Sequence, residues 1–179
     1  MRSVTTLPSP VGRLTLASDG ESLIGLWLEG QKYFGAGLPD TVQEKDLSVF
    51  REAEAWLKAY FAKAPLPALP PLAPQGSSFR QAVWQLLLEI PYGTVTTYGA
   101  LAQKLRDRGI SAAAQAVGGA VGHNPISILI PCHRVVGSDG SLTGYAGGVA
   151  KKQFLLELEG VDMAGVDVPP PGAGPWGGV

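Results

Sequence analysis

The chain has 179 residues, 45% of them hydrophobic, and a formal net charge of −1. This length allows one large or two small globular domains with a real core, and the charge balance does not indicate a nucleic-acid binder. A single cysteine excludes an internal disulfide and a cysteine-rich zinc cluster, and the two histidines lack metal-ligand spacing, so we expect no metal site. Without a secretory signal or an apolar run of membrane-spanning length, the sequence favours a cytoplasmic protein.

The first part of the chain changes from strand to helix periodicity. Residues 13–18 largely alternate apolar and polar side chains, Asp19-Gly20 is a turn signal, and residues 23–28 predict a second strand. Residues 46–63 carry apolar side chains at helical spacing, namely Leu47, Phe50, Ala53, Leu57, Tyr60 and Phe61. We therefore predict a small N-terminal α/β domain over residues 1–63.

Proline then interrupts the chain. Five of the ten residues in 65–74 are proline, which resists both helix and sheet, so residues 64–76 are predicted to form an extended connector. Residues 163–179 are rich in proline and glycine and are predicted to be a disordered tail. Residues 77–162 between them are predicted to form a C-terminal domain.

This second domain is predicted to be mostly helical. Ser77-Ser78 can cap a helix with Phe79, Val83, Trp84, Leu87 and Leu88 on one face. Thr97 can cap a helix of about ten residues that begins at Tyr98, and Ser111, after the breaker Gly109, can cap another over residues 112–121. Two short helices joined by a glycine-containing turn predict a helix-turn-helix. The fold class is therefore α/β (α+β).

The second helix of that pair consists almost entirely of small residues. Residues 112–120 contain alanine, glycine and valine, with Gln115 as the long side chain. Small residues allow tight helix packing, and they also let a backbone approach a broad surface such as DNA. The pattern leaves both interpretations open.

The end of the domain is predicted from short local signals. His123-Asn124-Pro125 predicts a turn and residues 126–130 a short buried strand, whereas residues 143–148 are too rich in glycine for regular structure. Residues 149–160 predict a closing helix that ends at a glycine. Its inward side chains are predicted to be Phe154, Leu155 and Leu158.

The single cysteine has unusual neighbours. Cys132 follows an apolar run and Pro131, and it is followed at once by His133 and Arg134. A lone cysteine is most often a small buried apolar side chain. Because an imidazole or a cation nearby lowers a cysteine pKa and yields the nucleophilic thiolate, these neighbours favour a reactive thiol instead.

Three sequence blocks in order resemble those of the O6-alkylguanine-DNA alkyltransferases, also called methylated-DNA–protein-cysteine methyltransferases. They are Tyr98 at a helix start, Val117-Gly118-Gly119-Ala120 with Asn124-Pro125, and Pro131-Cys132-His133-Arg134-Val135 followed by Gly144-Tyr145-Ala146-Gly147-Gly148. The similarity runs from about Phe79 to Gly160 and includes the spacing to Glu159. The N-terminal 63 residues are similar in layout alone.

The resemblance implies a direct DNA-repair activity. Such proteins bind double-stranded DNA containing O6-alkylguanine through a minor-groove helix-turn-helix. They flip the damaged base out of the duplex, because a protein nucleophile cannot reach the O6 atom inside it. They then move the alkyl group irreversibly to the cysteine, here Cys132. The resemblance therefore implies a single-turnover methyltransferase that acts as a monomer, without a cofactor, a metal or a membrane.

The resemblance also implies roles for individual residues. His133 would act as the base for Cys132 through a water, and Glu159 would orient the imidazole. Tyr98 would donate a proton or hydrogen bond to the departing guanine, and Asn124 would tie the helix-turn-helix to the active-site turn. The structural alternatives are a solvated carboxylate for Glu159, a packed aromatic for Tyr98 and a simple turn former for Asn124.

Two sets of contacts to substrate follow from the same resemblance. The expected base pocket is formed by Val135, Tyr145, Ala146 and Gly147. The expected DNA-binding residues are Gln115, Ala116, Gly118 and Gly119. Gln115 stands where the family usually has an arginine that enters the DNA stack, and Ala146 stands where some members have a serine.

Other functions remain open at this level. A non-catalytic sensor of alkylated DNA would have the same fold with the cysteine replaced, which Cys132 argues against. A Cys–His hydrolase unrelated to DNA would need a substrate pocket and turnover, and it would leave the small-residue helix unexplained. An interaction domain with an inert thiol is the remaining alternative.

Overall fold

A computed structural model describes residues 2–39, 41–142 and 145–163. The chain forms two compact units, the first from Met1–Gln75 and Pro125–Leu129 and the second from Gly76–Asn124 and from Ile130 onward. The predicted tail beyond residue 163, and Thr143 and Gly144 of the predicted glycine-rich loop, lie outside the described residues.

The first unit contains a four-stranded sheet. Its strands are β1 (Ser3–Leu7), β2 (Leu14–Ser18), β3 (Leu23–Leu28) and β4 (Gln43–Glu44), in the order β3-β2-β1-β4. The β1–β2 and β2–β3 pairs are antiparallel and the β1–β4 pair is parallel. The strand predicted from alternation, the second strand predicted after it and the turn between them are confirmed. The short strand β4 lacks a pattern long enough to predict.

One helix packs against this sheet. Helix α1 (Ser48–Phe61) contacts β2 and begins two residues later than predicted. Its buried side chains are Val49, Phe50, Ala53, Trp56, Leu57 and Tyr60. The helix predicted from periodicity is therefore confirmed, although Trp56 and not Phe61 completes the buried face.

The predicted strand at residues 126–130 is wrong. Ile126 forms one bridge with Leu26, and the following residues turn. Ile128 has a φ of 72°, which cannot continue a strand and is uncommon for a β-branched side chain. The apolar run reflects burial in the first unit, because a short apolar run does not distinguish a strand from any other buried segment.

The second unit contains four helices, α2 (Ser78–Leu88), α3 (Tyr98–Asp107), α4 (Ala114–Gly122) and α5 (Val149–Leu158), within its described residues. The predicted caps of α2 and α3 are confirmed. Ser77 Oγ accepts a hydrogen bond from Arg80 N at 3.2 Å, and Thr97 Oγ1 accepts one from Ala100 N at 3.1 Å. The predicted Ser111 cap is wrong, because α4 begins at Ala114 after Ala113, whose methyl group cannot cap it.

Helix α4 has two different faces. It packs against α2 and α3, with Val117 and Ala120 buried, and Trp84 Nε1 donates a hydrogen bond to Ala120 O at 2.8 Å. Gln115 and Ala116 are exposed on the other face. Small residues therefore serve close packing on one side and leave the other side accessible.

A short parallel ladder brings distant segments together. Strand β5 (Thr96–Thr97) pairs with β6 (Val135–Val136), which follows a 3-10 turn at Cys132–Arg134. Since α3 begins directly after β5, Tyr98 is placed beside the chain that leaves Cys132.

The predicted inward face of α5 is partly wrong. Phe154 is 39% exposed, and the buried residues include Lys152, Leu155 and Leu156. The buried face consists of residues 152, 155, 156 and 159, which recur at helical spacing. Two of these residues, Lys152 and Glu159, are charged. A search for apolar side chains therefore selects Phe154 and misses Lys152.

Gly25→Ala should destabilise the first unit by about 1–3 kcal/mol through overpacking. A Cβ at Gly25 in β3 would overlap the indole of Trp27, which is itself buried. Urea unfolding of Gly25→Ala in the wild type and in a Trp27→Leu background measures the coupling. The substitution should cost less in the Trp27→Leu background, and an equal cost in both backgrounds would contradict the contact with Trp27.

Candidate functional site

Cys132 is buried in the 3-10 turn, with 5% of its surface exposed. Its N–H donates to Ile130 O at 2.8 Å, and Val135 N donates to Cys132 O, so backbone hydrogen bonds hold the turn on both sides. Burial raises the pKa of the thiol, whereas a hydrogen bond from the Asn124 side chain and the charge of Lys152 lower that pKa. The sulfur is therefore buried in a site that contains specific groups favouring its ionised form.

Asn124 joins the end of α4 to the turn before Cys132. Its side chain is buried, and Nδ2 donates a hydrogen bond to Ile130 O at 2.8 Å. The same side chain hydrogen-bonds Cys132. A plain turn former would not need these two buried contacts, so the geometry favours the linking role over the structural alternative.

Glu159 is the centre of a buried ionic cluster. Its Oε2 lies 2.6 Å from His133 Nε2 and accepts a hydrogen bond from Arg134 Nη2 at 3.1 Å. Its Oε1 accepts a hydrogen bond from Arg134 Nε at 2.8 Å. Gly93 N also donates to Glu159 Oε1, at 3.0 Å. The side chain of Glu159 is fully buried, which excludes the alternative of a solvated carboxylate at a helix end.

The cluster sets the protonation state of His133. Burial lowers the pKa of its imidazole, the hydrogen bond and charge of Glu159 oppose this effect, and Arg134 and Lys152 add to it. The neutral imidazole is therefore favoured. Because a carboxylate only accepts hydrogen bonds, Nε2 carries the proton and Nδ1 is the basic atom of the ring.

Two parts of the cluster are not predicted from the sequence. Arg134 Nη1 donates to Ile90 O at 2.7 Å, and the guanidinium lies 5.7 Å from the centre of the Tyr92 ring. Gly93 has a φ of 77°, and a Cβ there would lie 3.1 Å from Glu159 O. Residues 91–93 have the pattern of a helix terminator, and no local signal connects them with a residue 66 positions away.

Tyr98 begins α3, and its phenol interacts electrostatically with Cys132. Burial raises the pKa of its phenol, and the charge of Cys132 raises it further, so the phenol keeps its proton at neutral pH. A Cβ at Gly118 on α4 would lie 3.8 Å from the Tyr98 ring. Tyr98 therefore carries a protonated phenol, interacts with Cys132 and has its ring beside Gly118 of α4.

Lys152 is a further charged residue that the sequence analysis does not select. It is 1% exposed, and its Nζ donates a hydrogen bond to Val135 O. Burial lowers the pKa of its ammonium group to about 8, and the charge of Cys132 acts in the opposite direction. The sequence signal that could have found it is its position seven residues before Glu159, on the same helix face.

The remaining expected residues fall into two groups. The expected base-pocket residues are buried: Val135, Tyr145, Ala146 and Gly147. The ring of Tyr145 stands edge-on to that of His133, with 6.5 Å between their centres. Of the expected DNA-binding residues, Gln115 and Ala116 are exposed, whereas Gly118 and Gly119 are partly exposed.

Both histidines and the cysteine lie in the part of the chain that the structure describes. No three His, Cys, Asp or Glu side chains there are grouped so that they could hold a metal ion. None of the helices in that part is long and apolar enough to cross a membrane.

Comparison with known sequence families covers both units. Residues 78–161 match the family described as 6-O-methylguanine DNA methyltransferase, DNA binding domain. Residues 3–74 match the one described as 6-O-methylguanine DNA methyltransferase, ribonuclease-like domain. The chain belongs to the 6-O-methylguanine DNA methyltransferase family.

Individual relatives agree with this assignment. The chain is 46% identical over 156 residues to the methylated-DNA–protein-cysteine methyltransferase of Haemophilus influenzae, covering 87% of this chain and 84% of that protein. It is 45% identical to the enzyme of the same name from Methanosarcina acetivorans, covering 85% and 94%. The crystal structure of Mycobacterium tuberculosis OGT in complex with DNA is similar with a TM-score of 0.77 and 41% identity, covering 92% of this chain and 95% of that one.

Glu159→Gln should lower the free energy of unfolding by about 3 kcal/mol or more, because it leaves the buried guanidinium of Arg134 without its counter-charge. Glu157→Gln is the matched control. Glu157 is exposed on the same helix, where it accepts a hydrogen bond from Gln153, so its loss should change stability by about 0.5 kcal/mol or less. Chemical denaturation measures both, and equal effects would contradict the central place of Glu159.

Proposed function

We propose that this protein repairs DNA directly, by irreversible transfer of an O6-alkyl group from guanine in duplex DNA to Cys132. The observation that carries the proposal is the surroundings of the buried Cys132 sulfur. Asn124 donates a hydrogen bond to it, and the next residue, His133, has its Nε2 atom 2.6 Å from Glu159 Oε2. Membership of the methyltransferase family gives this arrangement its substrate. The protein is thus a single-turnover methylated-DNA–protein-cysteine S-methyltransferase.

In the proposed mechanism His133 takes the thiol proton. Its Nε2 is held by Glu159, so Nδ1 receives the proton, by way of a water because adjacent side chains rarely face one another. Arg134 balances the charge of Glu159, which leaves the imidazole neutral before the reaction and able to act as a base. The thiolate then attacks the alkyl carbon.

Tyr98 assists the departing guanine. As the S–C bond forms and the C–O6 bond breaks, the bonding electron pair moves into the guanine ring. Its raised pKa keeps the phenol of Tyr98 protonated, so it can donate a hydrogen bond or its proton to that ring. The guanine leaves as a neutral base, and the resulting thioether is a poor leaving group, so the thiol is not regenerated.

DNA would be engaged through α4. Gln115 and Ala116 are exposed, and Gly118 and Gly119 allow the backbone to approach the minor groove while the damaged base is flipped out. The flipped base would be held by the buried set Val135, Tyr145, Ala146 and Gly147. The similar Mycobacterium tuberculosis protein was crystallised in complex with DNA, which supports a DNA duplex as partner.

The proposal also covers the setting of the reaction. The protein would act in the cytoplasm as a monomer, without cofactor, metal or membrane. A single cysteine that must remain reduced to react supports a reducing compartment.

Intact-mass spectrometry after mixing with a duplex that contains O6-methylguanine should show the gain of one methyl in place of one hydrogen. The gain should be stoichiometric and should stop after one event per molecule, because no step regenerates the thiol. Cys132→Ala should gain no mass and should still bind the duplex.

The other functions give different results in the same experiment. A non-catalytic sensor would bind without any mass change, and a Cys–His hydrolase would turn over repeatedly on its own substrate. Transfer of methyl to the Cys132→Ala variant would contradict the assignment of the acceptor.

Gln115→Arg should increase the repair rate of duplex DNA more than the reaction with free O6-benzylguanine. Base flipping costs a few kcal/mol, and only the duplex substrate incurs this cost. An arginine can fill the gap in the stack and contribute charge, whereas glutamine is shorter and neutral. Single-turnover rates on the two substrates measure the difference.

Gln103→Arg is the matched control for added charge, because Gln103 is exposed on the preceding helix α3. It should change both rates little. Equal rate increases on duplex and free base in Gln115→Arg would place residue 115 outside the flipping step.

A further inference from the structure

One face of α5 carries two buried charges of opposite sign. Lys152 and Glu159 are seven residues apart, which places them on the same side of the helix, and α5 packs against the 3-10 turn Cys132–Arg134. Glu159 contacts His133 and Arg134 of that turn. The proposed mechanism uses Glu159 and gives Lys152 no part.

The position of Lys152 is fixed relative to the sulfur. Its Nζ donates to Val135 O, and Val135 N donates to Cys132 O, so one backbone turn links the ammonium group to the reactive residue. The lysine side chain has almost no contact with solvent. A buried cation held in this way keeps its place while the sulfur changes charge.

We infer that Lys152 is a positioning residue whose buried ammonium group stabilises the thiolate of Cys132. The inference rests on the proposed role of Cys132 as the alkyl acceptor. A buried sulfur ionises poorly without a compensating charge, and a cation at a fixed site offsets this cost. The thiolate and the ammonium group together are neutral, so the pair costs less in a buried site than the thiolate by itself.

The electrostatics of the neighbouring groups agree with this geometry. Lys152 lowers the pKa of Cys132, and Cys132 in turn raises that of Lys152, as coupled titration requires. The other titratable or charged groups around the pair are His133 and Arg134 on the turn, Glu159 at the end of α5 and Tyr98 at the start of α3. Arg134 and Glu159 are paired with each other, while His133 is favoured as neutral and Tyr98 as protonated.

The role has a defined place in the reaction. His133 removes the thiol proton, the thiolate forms the S–C bond, and the C–O6 electron pair leaves with guanine. The thioether is neutral, so the positive charge of Lys152 loses its counter-charge at that step. Lys152 therefore favours the reactive state of the sulfur and does not touch the alkyl group.

The pKa of the Cys132 thiol tests the inference directly. Since Cys132 is the only cysteine of the chain, the pH dependence of alkylation by iodoacetamide reports this sulfur without background. Dividing each alkylation rate by its high-pH plateau corrects for differences in the access of iodoacetamide to the sulfur. In Lys152→Met the thiol pKa should rise, and alkylation at pH 7 should slow about tenfold for each pKa unit.

Lys151→Met is the matched control, because Lys151 precedes Lys152 on the same helix and is partly exposed. It should keep the wild-type thiol pKa. If Lys152→Met has a native circular dichroism spectrum and the wild-type thiol pKa, Lys152 only supports the Val135 carbonyl and the inference is overturned.

A second measurement does not depend on the folding of Lys152→Met. The pKa of Lys152 Nζ, followed by NMR in lysine-labelled protein, should be lower in Cys132→Ser than in wild type, because serine does not ionise. An unchanged lysine pKa would overturn the inference. Both measurements use no DNA, so absence of methyl transfer from a methylated duplex would contradict the proposed function and leave a thiolate–ammonium pair standing.

Discussion

The burial of the Glu159 carboxylate is the constraint on which the site depends. A buried charge is tolerated only when its oxygens are satisfied, and here the donors are His133, Arg134 and the Gly93 amide, from two segments distant in sequence. The turn that carries Cys132 must therefore dock against the end of α5. Because the docked turn is held by charge-assisted hydrogen bonds and not by shape alone, the sulfur is presented in one defined orientation.

The same burial sets the protonation state of each reacting group. It lowers the pKa of His133, which keeps the imidazole neutral as the proposed base must be, and raises that of Tyr98, which keeps the phenol protonated as the proposed donor must be. It also raises the pKa of Cys132, which opposes formation of the nucleophile. Burial thus favours the states that the proposed mechanism needs in His133 and Tyr98 and opposes the state that it needs in Cys132. The Asn124 hydrogen bond and the Lys152 charge lower the pKa of the thiol and so oppose that effect of burial.

Local signals predicted most of the fold. Alternation located β2, the short run after the Asp19-Gly20 turn signal located β3, and hydroxyl caps located the starts of α2 and α3. These features depend on neighbours within a few residues. Features that depend on distant partners were not predicted by local signals, and the pairing of Glu159 with His133 followed from the family resemblance alone. Ile126–Leu129 is buried as a turn in the first unit, and Gly93 is required by Glu159. Lys152 was missed because a buried lysine breaks the apolar pattern by which an inward helix face is recognised.

The composition of α4 follows from the two different surfaces that it must fit. On its inner side Val117 and Ala120 are buried, and Trp84 donates a hydrogen bond to Ala120 O, so the helix is packed closely there. At its partly exposed Gly118, a Cβ would lie 3.8 Å from the Tyr98 ring, so a longer side chain would reach the phenol. Glycine there keeps side-chain atoms away from the ring of Tyr98, the proposed proton donor. Small residues on this helix thus allow close packing on its inner side and an accessible backbone on its outer side. Neither interpretation of the sequence pattern explains both sides by itself.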